Sequence, residues 1–288
     1  MPAEHSWQIS EAQNLDFDDP VETLHVHVVN GTVNVVGTAE PGARVEISEV
    51  QGPPLVVTHE GASLVVAYED VPWKGFLQWL DRKDWNRHAV VSVSVPAHVR
   101  LSVGAVGANA FVSGVTGRTD VRGISGDTTL VGLTGRVQAD TVSGSIETQG
   151  LTGRLSFSSV SGDLTVIDGG GSAVKADSVN GDMVLDLGGR DDGIDAADIA
   201  LGTVSGSIAV RLSCPVHAKV EANSAGGAVS SAFEELRAEG TWGGKKVSGV
   251  LGTGRGQVKA SSVSGSIALL RRPSAPLDDD APLLSKDV

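Results

Sequence analysis

From Val115 to Asp168 the chain repeats one nine-residue phrase six times, and few folds accept a repeat that short. The copies begin at Val115, Ile124, Leu133, Val142, Leu151 and Val160, and each opens on an apolar residue, a Ser or Thr, and a Gly. An alternating run follows, as in Val137-Gln-Ala139 and Ile146-Glu-Thr148, which is the period of a half-buried strand. Nine residues cannot enclose a core of their own, so each unit must bury its apolar side against its neighbours. The Gly serves either as a residue with φ > 0 or as one without Cβ where successive coils pack closely. Inward residues are of modest bulk and often β-branched, which suits stacked strands.

The units alternate between two kinds. Arg118, Arg136 and Arg154 follow the Gly of the odd units, whereas Asp127, Ser145 and Asp163 hold that place in the even ones. Like therefore recurs at eighteen residues (136 − 118, 154 − 136), so one full coil is two units. Equivalent residues should stack at the interstrand spacing of about 4.8 Å, forming an arginine ridge on one edge and a Ser/Asp ridge on another. The expected architecture is an all-β, single-chain β-solenoid (β-helix) with about 18-residue coils built from nonapeptide half-coils.

This grammar extends over residues 24–270. Residues 1–23 read as a lead-in segment with Trp7 and Phe17 as anchors, and 271–288 as a disordered acidic, Pro-rich tail. The grammar breaks over 71–86, where Trp73, Phe76, Leu77 and Leu80 fall at helical spacing and three of the five Trp cluster. We expect a short amphipathic helical insertion there, with Trp73, Phe76, Trp79 and Trp85 as partner-contact residues. Coil capping is the plainer role for it. A step of 179 − 160 = 19 adds one residue, and 204 − 179 = 25 implies a loop over 188–198. Residues 224–252 are irregular, with a brief helix expected over 231–239.

Val160-Ser-Gly-Asp-Leu-Thr-Val166 and its near copies at Val142, Val179, Val204 and Val263 resemble the repeated strings of the bacterial putative-adhesin family of unknown function. The resemblance implies a β-solenoid and, in its name alone, an adhesive role. Relatives of that kind often begin with a membrane helix, whereas Met1-Pro-Ala-Glu-His-Ser-Trp-Gln has neither a basic start nor an apolar stretch. The expectation is thus cytoplasmic, with a position peripheral to the envelope as the alternative.

A formal net charge of −13 argues against a nucleic-acid partner, which selects a basic face. Three stacked guanidiniums at Arg118, Arg136 and Arg154 could form an anion ridge, or could be turn residues neutralised by Asp120 and Asp140. The Asp ridge does not match calcium nonapeptides, which place Asp two residues after the Gly. Asp191, Asp192, Asp195 and Asp198 lack EF-hand spacing, and His25 with His27 lacks a third metal ligand. The lone Cys214 reads as a small buried residue. No nucleophile elbow, zinc-protease or nucleotide fingerprint occurs, so no catalytic residue, metal or cofactor is assigned. The expected function is a non-enzymatic scaffold or binding module with another protein as partner. An envelope-associated adhesin-like protein binding cell wall or glycan is the alternative, and a carbohydrate-active β-helix enzyme comes third.

Overall fold

The computed structural model describes residues 4–69, 86–170, 173–188, 198–241 and 244–272. Among them every regular element is a strand, and the strands fall into two large mixed sheets of fourteen and twelve. Through the repeats the chain alternates between the sheets. Sheet one takes β9 (Arg100–Ala105), β11 (Thr119–Gly123), β13 (Arg136–Asp140), β15 (Arg154–Ser158), β17 (Ala173–Ser178) and β19 (Asp198–Thr203). Sheet two takes β10 (Asn109–Ser113), β12 (Thr128–Val131), β14 (Ile146–Gln149), β16 (Leu164–Ile167), β18 (Met183–Leu187) and β20 (Ile208–Leu212). One strand from each sheet makes a tier, and successive tiers pair in parallel.

The eighteen-residue period is the register itself. Arg136 pairs with Arg154 and Ile146 with Leu164, while Leu155 pairs with Val174 and Val174 with Ile199 where the sequence adds residues. The alternating run turns Val137, Ala139, Leu155 and Phe157 inward from sheet one, and Ile146, Leu164 and Val166 inward from sheet two. Phe157 is the one aromatic in these regular tiers that is wholly buried. Small aliphatics do the rest, so the core is thin but long.

Both ends depart from simple succession. β3 (Thr23–Val28) and β4 (Asn30–Thr38) sit beside β9 and β10, while β7 (Ser63–Ala67) and β8 (His88–Pro96), later in sequence, lie outside them. At the other end β25 (Gly256–Ser262) and β26 (Ile267–Arg271) slot between the β19/β20 tier and the earlier-made β21 (Ala218–Ser224) and β22 (Val229–Ser231). The parallel stack is then covered by antiparallel strands. β6 (Leu55–Glu60) with β1 (Glu4–Ile9), and β5 (Ala43–Gln51) with β2 (Gln13–Phe17), close the first end. β24 (Gly244–Leu251) with β23 (Arg237–Thr241) covers sheet one at the second end, leaving the three-residue β22 as the edge of sheet two. The outermost strands β1, β2, β22 and β23 are each of six residues or fewer, so the edges they offer another chain are short.

Several expectations change here. Of the segment 1–23, residues 4–23 supply two capping strands, with Trp7 edge-on to the buried Phe17 at a ring distance of 5.4 Å. The helix expected over 231–239 is absent: β22 ends at Ser231, a turn over 233–236 follows, and β23 begins at Arg237. An apolar letter there marks the buried Phe233 and Leu236 under the cap. The helical insertion expected over 71–86, with Trp73, Phe76, Trp79 and Trp85, lies outside the described residues save for residue 86. So do 189–197 and the tail from 273.

Candidate functional site

The odd-unit glycines bring three arginines onto one edge, and strand register adds a fourth, Arg100. Gly135 and Gly153 sit where the corners of neighbouring tiers touch: a Cβ built on Gly153 would lie 1.8 Å from the carbonyl oxygen of Gly135. That contact, and no positive φ, is why Gly is required at the third place. The left-handed residues are instead Gly132 and Gly150, both at φ 63°, continued by Asp168 at φ 51°. With the corners in contact, the residue after each Gly stands directly above its counterpart. Arg136 opposes Arg154, and the pairings of Thr119 with Leu101 and Val137 set Arg118 between Arg100 and Arg136. All four are exposed.

Arg100 is the member that sequence reasoning missed. The 118 − 100 = 18 spacing was available, but Val99-Arg100-Leu101 lacks the Ser/Thr-Gly that marks the unit. The acids expected to neutralise the ridge do so once. Asp120 takes a fork from Arg118, with Nε at 2.8 Å and a terminal nitrogen at 2.9 Å, and this bond raises the Arg118 pKa. Asp140 lies 3.9 Å from Arg122 and accepts from Gln138. The residues in register with Asp120 are Ser102, Gln138 and Ser156, so Arg100, Arg136 and Arg154 have no acid at that place. None of these three has an ion-pair partner among the described residues.

The Ser/Asp ridge has a structural task. Asp127 Oδ1 accepts from the Ser145 backbone N–H at 3.0 Å, Asp163 from Asp182 at 2.8 Å, and Asp182 from Ser207 at 2.6 Å. Each carboxylate thus satisfies a corner donor of the next tier. A second row was not read from the sequence: Thr141, Ser159, Ser178, Thr203 and Ser262 accept from the N–H three residues on, at Gly144, Gly162, Gly181, Gly206 and Gly265. The hydroxyl before the Val-Ser-Gly or Val-Asn-Gly at Val142, Val160, Val179, Val204 and Val263 was its signal.

The two outward faces differ. Sheet one carries His25, Asp120, Arg122, Asp140, Lys175 and Asp177, many of them paired. His25 and His27 lie together with ring centroids 6.0 Å apart. Burial, then the neighbouring His25 and Arg122 charges, pushes His27 down to about 4. No third ligand joins them; among the described residues no group of three His, Cys, Asp or Glu could hold a metal. Sheet two's row from Phe111 through Thr129, Glu147, Thr165, Val184 and Ala209 holds one charge, and Phe111, Ile167 and Val184 are exposed.

Cys214 is exposed, not buried as expected, because the chain turns outward there after β20. Its Sγ lies 3.1 Å from Arg271 Nε, at the mouth of a cavity of about 420 Å³ whose walls include His217, Phe233, Glu235 and Leu251. Of the expected acidic loop, only Asp198, at the start of β19, is described. No helix among the described residues is long and apolar enough to cross a membrane.

No family profile matches this chain, and no curated protein does. Among solved structures, a putative adhesin from Bacteroides fragilis is similar at 11% identity and a TM-score of 0.47, covering 90% of this chain and 97% of that one. A putative lipid binding protein from Parabacteroides distasonis is similar at 10% identity and 0.40, covering 91% and 97%. A putative cell adhesion protein from Clostridium sporogenes follows at 8% and 0.31, covering 91% and 100%.

Proposed function

We propose that the chain is a β-solenoid acting as a non-enzymatic binding module, with tiers of about eighteen residues and long outward faces as its contact surfaces. The observation that carries this reading is the in-register repetition of residues along each face, which gives a partner the same side chains tier after tier. The low-charge row of sheet two, with Phe111 and Val184 exposed on it and Ile167 exposed beside it, suits protein contact. A catalytic centre needs different groups converging at one point, and the repeat spreads like groups along a line. The test is a crosslinked capture with the full chain from host soluble and membrane fractions, alongside F111S/I167S/V184S. A defined protein lost with the variant supports the reading, and one retained equally by the folded variant refutes it.

The adhesin-like alternative, with cell wall or glycan as ligand, is favoured by the arginine ladder. Recovery mainly with membranes or wall material would select it. The carbohydrate-active enzyme is the third reading, and turnover of a polysaccharide by the pure protein would select it.

A further inference from the structure

We infer that Arg100, Arg118, Arg136 and Arg154 form a binding site for a linear acidic polysaccharide lying along the stack, its anionic groups against the arginine row. The inference rests on the binding-module reading and assigns a ligand class to one edge of it.

Three observations combine. The first is register: backbone pairing sets the four arginines one strand apart along the backbone, about 4.8 Å, over three intervals. That step is close to the advance of one sugar ring along an extended glycan, so a polyuronate lying along the ladder keeps carboxylates within reach of the long arginine side chains over its whole length. The second is the absence of neutralising acids. Like charges directly opposite one another destabilise a sheet, yet three of the four have Ser, Gln or Ser where Arg118 has Asp120. In a chain of net charge −13, this edge keeps its positive charge while the rest repels anions. The third is the neighbouring row. Thr116, Thr134 and Thr152 stand exposed on the same corner, two residues before Arg118, Arg136 and Arg154, the first with its hydroxyl donated to the Ala97 carbonyl at 3.1 Å.

These features separate the candidate polymers. Guanidinium forks match carboxylates two bonds at a time, and the Thr hydroxyls match sugar hydroxyls. A single-stranded nucleic acid would need aromatic platforms for its bases, and the rows flanking the ladder hold Thr, Ser, Gln and Asp with one ring, His98, at the Arg100 end. The ladder is also one residue wide, which fits a single chain and not a duplex. It ends where Arg154 meets Ala173 and Arg100 meets Thr23, so four sugars fill it.

The test is titration calorimetry of the full chain with polygalacturonate, against monomeric galacturonate, neutral dextran and inorganic polyphosphate. Polygalacturonate should bind, weaken as salt rises, and far exceed the monomer, while dextran should not bind. Each Arg→Gln change should weaken binding roughly three- to fivefold, so R136Q/R154Q should lose about tenfold or more, while the distant R237Q should change nothing. Circular dichroism and a melting curve check that the variants fold; if the double variant does not, R100Q at the end of the ladder replaces it. Absence of polygalacturonate binding, unchanged affinity in a folded ladder variant, or binding of polyphosphate alone would each overturn the assignment. Capture of a protein through sheet two alongside any of these would leave the binding-module reading standing while this site falls.

Discussion

Two buried threonines seven residues apart should respond to the same substitution with opposite sign. Thr148 points into the core from β14 with no accessible surface, between Leu130 and Val166 of the adjoining tiers, and its hydroxyl has no hydrogen-bond partner. Thr141 is also buried, but its Oγ1 accepts from the Gly144 N–H at 3.1 Å. Thr→Val keeps the shape and exchanges a hydroxyl for a methyl. At 148 the change removes an unsatisfied polar group, whose burial costs about 1–3 kcal/mol, and adds apolar burial. T148V should therefore stabilise by about 1–2 kcal/mol. At 141 it orphans the N–H of a buried glycine, and T141V should destabilise by about 1–2 kcal/mol. Intrinsic β-propensity is common to both and cancels in the comparison. Equilibrium urea unfolding should show the midpoints moving apart in opposite directions with unchanged m-values. Midpoints moving the same way would refute the reasoning, because partner satisfaction would then not decide the sign.

Gly153→Ala should destabilise by several kcal/mol or prevent folding, because its Cβ would meet a backbone oxygen at 1.8 Å, whereas Gly132→Ala faces open space and should cost about 1–2 kcal/mol of left-handed strain; thermal melts of both check the ranking. Phe157→Ala should cost about 3–5 kcal/mol by opening a cavity in the core of the regular tiers, measured by the urea midpoint. Asp163→Ala should cost about 1 kcal/mol by freeing the Asp182 N–H, read by amide hydrogen exchange at residue 182. His27 binds its proton at about pH 4 in the fold and near 6.5 unfolded, so the unfolded state holds more protons between those values. Its share of stability is whole above about pH 6.5 and is lost as pH falls through 4, up to about 3 kcal/mol, and His27→Gln should flatten that part of the stability–pH curve.

The sequence went far in the regular tiers and faltered at corners and ends. Spacing alone set Arg136 over Arg154 and allowed for the added residues at 179 and 204, because strand register follows directly from a period. It could not rank apolar letters. Leu133 and Leu151 are buried at their corners, yet Val160, Val179, Val204 and Val263, at the matching place of the even units, are about half exposed. Both corners demand a Gly two residues later, but only one turns its first residue inward. Nor could it assign the Ser/Asp ridge, since a carboxylate looks the same whether it meets solvent, a cation or the next tier's amide.

What the sequence alone determined is therefore local and periodic: strands, their alternation, the eighteen-residue step, and which residues recur on one edge. Tertiary structure decided what periodicity cannot express. A parallel strand carries no mark of which neighbour it will join, so only the folded stack shows β25 and β26 slotting in before β21 and β22, and β3 and β4 lying inside β7 and β8. The same holds for charge. Arg118 and Arg136 are equivalent in the repeat, and the local sequence gives one Asp120 two residues on where the other has Gln138; what only the folded stack shows is that the arginines stand beside one another on successive tiers.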